Sequence, residues 1–181
     1  MQMREKLQMV RANLPNVWQV SDRRRAVETF EILTAGTEAP VVGLTDSLRE
    51  INFGDFEGMT WDELPPEFQR DYSACQTNPF ELEFPRGETF RELCERVSRG
   101  AVAIFSSLFC EAELGIVGHQ GSLRIWELMA ENAAPAGFFA KPFAAGEARW
   151  HRLSLEGIKA WRQKHLKITK RPVYYSAEGS S

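Results

Sequence analysis

Apolar residues at Met3, Leu7, Val10 and Leu14 recur at helical spacing and predict an amphipathic helix over residues 2–14, ended by Pro15. The run VWQV (17–20) reads as a short buried strand. Ser21 or Asp22 can cap the helix that follows, whose apolar side includes Ala26, Phe30 and Leu33. GTEAP is a loop, and VVGLTDSLREINFGDFEG is mostly extended or irregular. Residues 61–83, rich in proline, aromatic and acidic side chains, read as an insertion with one or two short helices. The clearest helix lies in PRGETFRELCERVSRGAVAIFSSLF, with Phe90, Leu93, Val97, Ala101 and Ile104 on one side. Pro85 and Gly87 mark its start, and Glu88 suits the positive end of its dipole.

Next come a strand in ELGIVGH, a helix in GSLRIWELMAEN and a loop in PAGFFAKPF. ARWHRLSL alternates well enough for an edge strand, and EGIKAWRQKHL for a short final helix. Helices alternating with short buried strands are an α/β pattern built on a mostly parallel sheet. No linker divides it, so the expectation is a single domain over residues 1–170 and a flexible tail over 171–181.

Composition narrows the function. The chain has 181 residues, 43% hydrophobic and 26% charged, with a formal net charge of −3. No basic excess points to nucleic acid or an anionic membrane surface, and no apolar run is long enough to span a bilayer. The three cysteines, Cys75, Cys94 and Cys110, are an odd number without metal-ligand spacing, which favours a reducing, cytoplasmic setting over a disulfide framework. The three histidines, His119, His151 and His165, lack the spacing of a helical zinc site, so neither a metal nor an organic cofactor is expected.

Candidate chemistry collects at the carboxyl ends of the strands, where open parallel sheets bind ligands. One such place is Ser21-Asp22 leading to Arg25; the other is Gly118-His119 leading to Gln120 and Gly121. An arginine, an imidazole and the free N–H groups of a helix start together favour a phosphate. Taken singly, His119 also fits a histidine bonded to a backbone carbonyl, and Arg25 a solvated member of DRRRA. Glu50, Asp55 and Glu57 all lie in one acidic loop, and spacing does not choose among them. No nucleophile elbow, Walker or dinucleotide glycine motif is present.

In order along the chain stand SDRRRAVET (21–29), LREINFGDFEG (48–58), FPRGETF (84–90) and VGHQGSLR (117–124). This series resembles the histidine phosphatase superfamily in its phosphoglycerate mutase-like branch, whose motifs run S-D-x-x-R-A-x-E-T, L-x-E-x-x-F-G-x-W-E-G, P-x-G-E-S and H-x-G-x-x-R. The resemblance implies a three-layer α/β/α domain that cleaves small phosphomonoesters through a phosphohistidine. It makes Arg25, His119 and Gln120 the phosphate-binding set. Glu50 becomes the acid that protonates the leaving oxygen and then the base that activates water. Phe56 stands where tryptophan is usual, and Glu88 is implied to be structural more than catalytic.

One element of the pattern is missing. The family's nucleophile lies in an Arg-His-Gly motif on a first strand in the interior of the sheet, and no histidine precedes His119. The resemblance therefore implies a gap in the sheet between two strands with open edges. It also implies no turnover by this chain as it stands. A start placed late, with roughly 20 to 30 residues upstream, is the economical explanation. The modest insertion leans toward an alpha-ribazole phosphatase of cobalamin synthesis, or a broad phosphatase, rather than a phosphoglycerate mutase. The alternatives are a non-catalytic relative that binds a phosphorylated ligand, and a fragment without function. The sequence leaves substrate and oligomeric state open.

Overall fold

The computed structural model describes residues 14–38, 40–108 and 113–166. The helix expected over residues 2–14 and the tail from 171 fall outside them, except for Leu14. Three strands, β1 (Val17–Ser21), β2 (Val41–Thr45) and β3 (Leu114–Val117), form a parallel sheet in the order β2-β1-β3. Among the described residues five helices accompany it: α1 (Arg24–Thr34), α2 (Pro66–Cys75), α3 (Phe90–Ser107), α4 (Gln120–Ala130) and α5 (Leu155–His165).

The two faces of the sheet are covered differently. Trp18, Val20 and Val117 pack with Ala26 and Phe30 of α1, Trp18 meeting Phe30 edge-on at 5.5 Å. Leu114 and Ile116, one step out of phase on β3, pack toward a larger core built from α3, α4 and α5. A period of two on a strand sends neighbours to opposite faces, so this alternation makes the α/β/α layering. Phe90, Leu93, Val97 and Ala101 are fully buried along one side of α3, as its pattern predicts.

Four expectations need correction. First, no gap separates the three described strands. β1 pairs with β2 from Val17↔Val41 to Ser21↔Thr45, and with β3 from Val17↔Leu114 to Val20↔Val117. The ladder groups of β1 are thus satisfied on both edges, so a vacant place does not adjoin β1; the outer edge of β3 has no strand partner among the described residues. Second, ARWHRLSL forms no strand: Arg149 and His151 turn to Glu127, while Trp150 lies in solvent. Its alternation reflects inward polar side chains rather than a pleat.

Third, neither Ser21 nor Asp22 caps α1. The N-cap is Arg23, and the buried Ser21 hydroxyl, at the end of β1, accepts from Arg23 N at 3.4 Å, ahead of the helix, and meets His119 Nε2. Fourth, Glu88 does not serve the start of α3. Thr89 is the N-cap there, in a capping box with Glu92, and Glu88 instead pairs with Arg96. The insertion carries α2 and two single helical turns, Trp61–Glu63 and Pro79–Glu81, as expected. Gly54 and Gly58 have φ of +58° and +80°, the tight backbone their loop calls for.

Candidate active site

The carboxyl ends of β1 and β3 meet at His119. It follows β3 as the N-cap of α4 and is only 8% exposed. Arg25, in the first turn of α1, donates from Nε to His119 Nδ1 at 3.2 Å. A guanidinium has no acceptor, so Nδ1 accepts and the proton of the neutral ring belongs on Nε2. Nε2 then donates to Ser21 Oγ at 3.0 Å. Burial, reinforced by Arg25, Arg23 and Arg96, pushes His119 down to about 4 from its ordinary 6.5. At neutral pH it is therefore a neutral hydrogen-bond donor.

A serine bonded to a histidine invites comparison with a nucleophile and its base. The tautomer forbids that role. A base must offer a lone pair to the hydroxyl, and here Nε2 brings a proton. Ser21 is accordingly a positional partner of His119, standing where a ligand oxygen could accept the same proton.

Glu50 reaches this place from the segment after β2. The turn Asp46–Leu48 leads into it, and Ser122 Oγ holds that turn by donating to Leu48 O at 2.9 Å. Glu50 Oε1 accepts from Ile51 N at 3.0 Å and from Gly121 N at 2.9 Å. The carboxylate itself thus occupies an N–H at the start of α4, which the sequence offers to a phosphate. A Cβ on Gly121 would lie 2.3 Å from Glu50 Oε1, so residue 121 must be glycine for this approach. Burial raises Glu50 above the usual carboxylate range, while the two backbone bonds and Arg25 and Arg96 work against the rise. A raised carboxylic acid beside an arginine and a neutral imidazole can give a proton to a leaving oxygen.

Gln120 is exposed at the first position of α4, and its side chain joins no hydrogen bond among the described residues. Of the other acidic candidates, Asp55 pairs with Arg86 and Glu57 accepts from Phe53 N at 3.0 Å. Both are thus committed to other partners, and of the three only Glu50 has a hydrogen bond to α4 among the described residues.

Arg49 and Arg124, to which the sequence reading assigned no role, brace the segments around the site. Asp22 grips Arg49 in a two-pronged ion pair that ties the end of β1 to the Glu50 segment, and Arg49 holds its carboxyl low. Arg124, the last residue of H-x-G-x-x-R, is 2% exposed and turned away from His119. It pairs with Glu127 and donates to the carbonyls of Gly137 and Phe138 at 2.6 and 3.0 Å. Sequence spacing could have flagged Arg124, because a residue five places after His119 starts on a different side of the helix.

Glu127, Glu131 and His151 place one ligand atom each within 4.8 Å of one another. Cations of the protein already hold this set: Arg124 and Arg149 on Glu127, Lys141 on Glu131. It is an ion-pair cluster fastening the 141–151 segment to α4. Among the described residues no helix is long and apolar enough to cross a membrane.

Comparison with known proteins gives the family and the fold. Residues 2–168 match the family described as the histidine phosphatase superfamily (branch 1). A metal-independent phosphoserine phosphatase of Arabidopsis thaliana is 30% identical over 118 residues, which are 65% of this chain and 49% of that protein. The chain thus spans about half the length of that relative. Among solved structures, Bacillus stearothermophilus YhfR superposes with a TM-score of 0.66 at 25% identity, covering 78% of this chain and 69% of its own. The alpha-ribazole phosphatase of Shigella flexneri shares the fold, with a TM-score of 0.64 at 23% identity and coverage of 78% and 71%.

Proposed function

Because the chain belongs to the histidine phosphatase superfamily, we propose that its site serves phosphomonoester hydrolysis through a phosphohistidine, with the nucleophilic histidine lying outside these 181 residues. The observation that carries this reading is the convergence of Arg25, Glu50 and His119, drawn from three distant stretches, on one point at the ends of β1 and β3. Arg25 and the Nε2–H of His119 bind the phosphoryl oxygens, with Gln120 at the rim. In place of Ser21, a phosphoryl oxygen accepts the His119 proton, an interaction that strengthens as charge builds.

The chemistry balances without a metal. A histidine nitrogen attacks phosphorus, the ester P–O bond breaks, and Glu50 gives its proton to the departing alcohol oxygen. Water then attacks the phosphohistidine, Glu50 takes back a proton, and inorganic phosphate leaves. The metal-independent phosphoserine phosphatase among the relatives supports a small phosphorylated metabolite as substrate. Phosphoserine and alpha-ribazole phosphate are the first to test.

A second reading rests on a specific observation. Both ring nitrogens of His119 are engaged inside the protein, and no second histidine stands beside it among the described residues. On that reading the chain binds a phosphorylated ligand without turnover.

The experiment is an assay of the 181-residue chain with p-nitrophenyl phosphate and phosphoserine, paired with melting in orthovanadate. The expected result is hydrolysis at the buffer rate, no acid-labile phosphoryl label, and a rise in Tm with vanadate that His119→Ala removes. Turnover by this chain would make one of its own residues the nucleophile and overturn the assignment. In a form carrying an upstream Arg-His-Gly strand, His119→Ala should abolish most turnover. There Glu50→Gln should slow alkyl phosphates far more than p-nitrophenyl phosphate, whose leaving group needs no proton. The second reading predicts that no such form of the gene product exists.

A further inference from the structure

Arg96, on α3, lies against the segment that carries Glu50. Its Nη1 donates to the carbonyl oxygens of Asp46, Ser47 and Arg49 at 3.1, 3.1 and 3.2 Å. Its Nη2 donates to Glu50 O at 3.3 Å and to Glu88 Oε2 at 2.7 Å, and its Nε to Glu88 Oε1 at 2.8 Å. Glu88 Oε2 also accepts from Asn52 N at 3.3 Å. One guanidinium and its carboxylate thus bracket the backbone from residue 46 to residue 52, on both sides of Glu50.

This is more than an ion pair. The carbonyls of Asp46 and Ser47 in the turn, and of Arg49 and Glu50 just after it, all converge on this one cation. The fork of Arg96 is fully spent on these partners, so it has no donor left for a phosphoryl group. That excludes it as a second phosphate-binding arginine and leaves placement of the backbone as its work. At the other end of the same residue, Ile51 N and Gly121 N fix Glu50 Oε1. Glu50 Oε2 has no hydrogen-bond partner among the described residues, so it is the oxygen able to carry a proton outward.

We infer that Arg96, oriented by Glu88, is a positioning residue that sets the Glu50 carboxyl group against the start of α4 so that Oε2 faces the leaving oxygen. This rests on the reading of Glu50 as the general acid. A lysine at position 96 keeps the charge but offers a single nitrogen, which cannot meet a carboxylate edge and a row of carbonyls together.

The test follows the Gly121 amide by NMR while the Glu50 carboxyl titrates. The charged groups facing Glu50 are Arg25 from α1 and Arg96 from α3, with Tyr72 of α2 as its titratable neighbour. In the native 181-residue chain the Gly121 amide shift should track the Glu50 carboxyl carbon. In Arg96→Lys that correlation should disappear while the chain still melts cooperatively, and in Glu88→Gln it should weaken. Should Arg96→Lys fail to fold, Glu88→Gln decides. A Gly121 amide that still tracks Glu50 in the folded variants, whatever their Tm, would overturn the inference and leave Arg96 a stability residue. Failure of the general-acid reading shows elsewhere, as an unchanged rate for Glu50→Gln in a turnover-competent form with the Gly121 response intact.

Discussion

The two faces of the sheet differ in how much protein stands behind them. On one side, α3, α4 and α5 close over a core that includes Leu93, Ile125, Leu128, Ile158 and Trp161, all fully buried. On the other, among the described residues, α1 and Leu14 cover Trp18, Val20 and Val117, and Ile32 of α1 is 61% exposed. The β2 edge is thinner still, with Val41 and Leu44 69% and 61% exposed. The site straddles this divide. Glu50 is fastened to the thick side through α4 and Arg96, whereas Arg25 rides on α1. Glu50, the proposed acid, is thus held more firmly than Arg25, the proposed phosphate-binding arginine, so ligand-dependent order should appear at α1 first.

The same substitution on each side is the strongest way to break this contrast. Phe90, fully buried among Phe80 and Phe138, should cost about 4–5 kcal/mol on truncation to alanine; Phe30, 8% exposed against Trp18, should cost about 3 kcal/mol. Equal losses in urea melts would show that the α1 layer is packed as tightly as the other.

Acid should act next, and at the seam. The folded chain holds His119 at about 4 against an ordinary 6.5, so between these values only the unfolded chain takes up its proton. Stability should therefore fall as pH drops from 6.5 toward 4, by an amount on the order of 3 kcal/mol, and be unaffected above 6.5. Glu50, raised by burial, contributes with the opposite sign, because protonation favours its folded state. Comparing native protein with His119→Gln across that range isolates the histidine, whose loss should flatten the slope.

Smallest is the β2 edge. Val42→Lys should change stability by no more than about 0.5 kcal/mol, yet reduce self-association at high concentration, since a lysine on an open edge opposes strand-to-strand pairing. A large loss of stability would mean that Val42 is covered in solution.

Much of this was legible in the sequence, for reasons particular residues make plain. Phe90 to Ile104 declared α3 because burial on one side of a long helix leaves a strong period. His119 and Arg25 declared themselves by lying just past apolar runs, at the strand ends. What stayed hidden depends on distant partners. Thr89 and Glu92 spell out a capping box, but Glu88 has no local feature that reveals Arg96 as its partner. Arg149 and His151 mimic strand alternation because Glu127, far off in sequence, turns both inward. Nor could periodicity show that β1 and β3 pair directly, since the period of a strand does not say which strand lies beside it.

That direct pairing also bears on how the chain reaches its fold. It joins residue 17 to residue 114, so the ladder must wait for nearly everything between them to become compact. Contacts within the helical layer are shorter in range, Trp161 to Ala133 spanning 28 residues and Arg162 to Glu95 spanning 67. The site joins both kinds: Glu50 meets α4 across 71 residues, whereas Arg25 reaches His119 across 94, a closure tied to the pairing of β1 with β3.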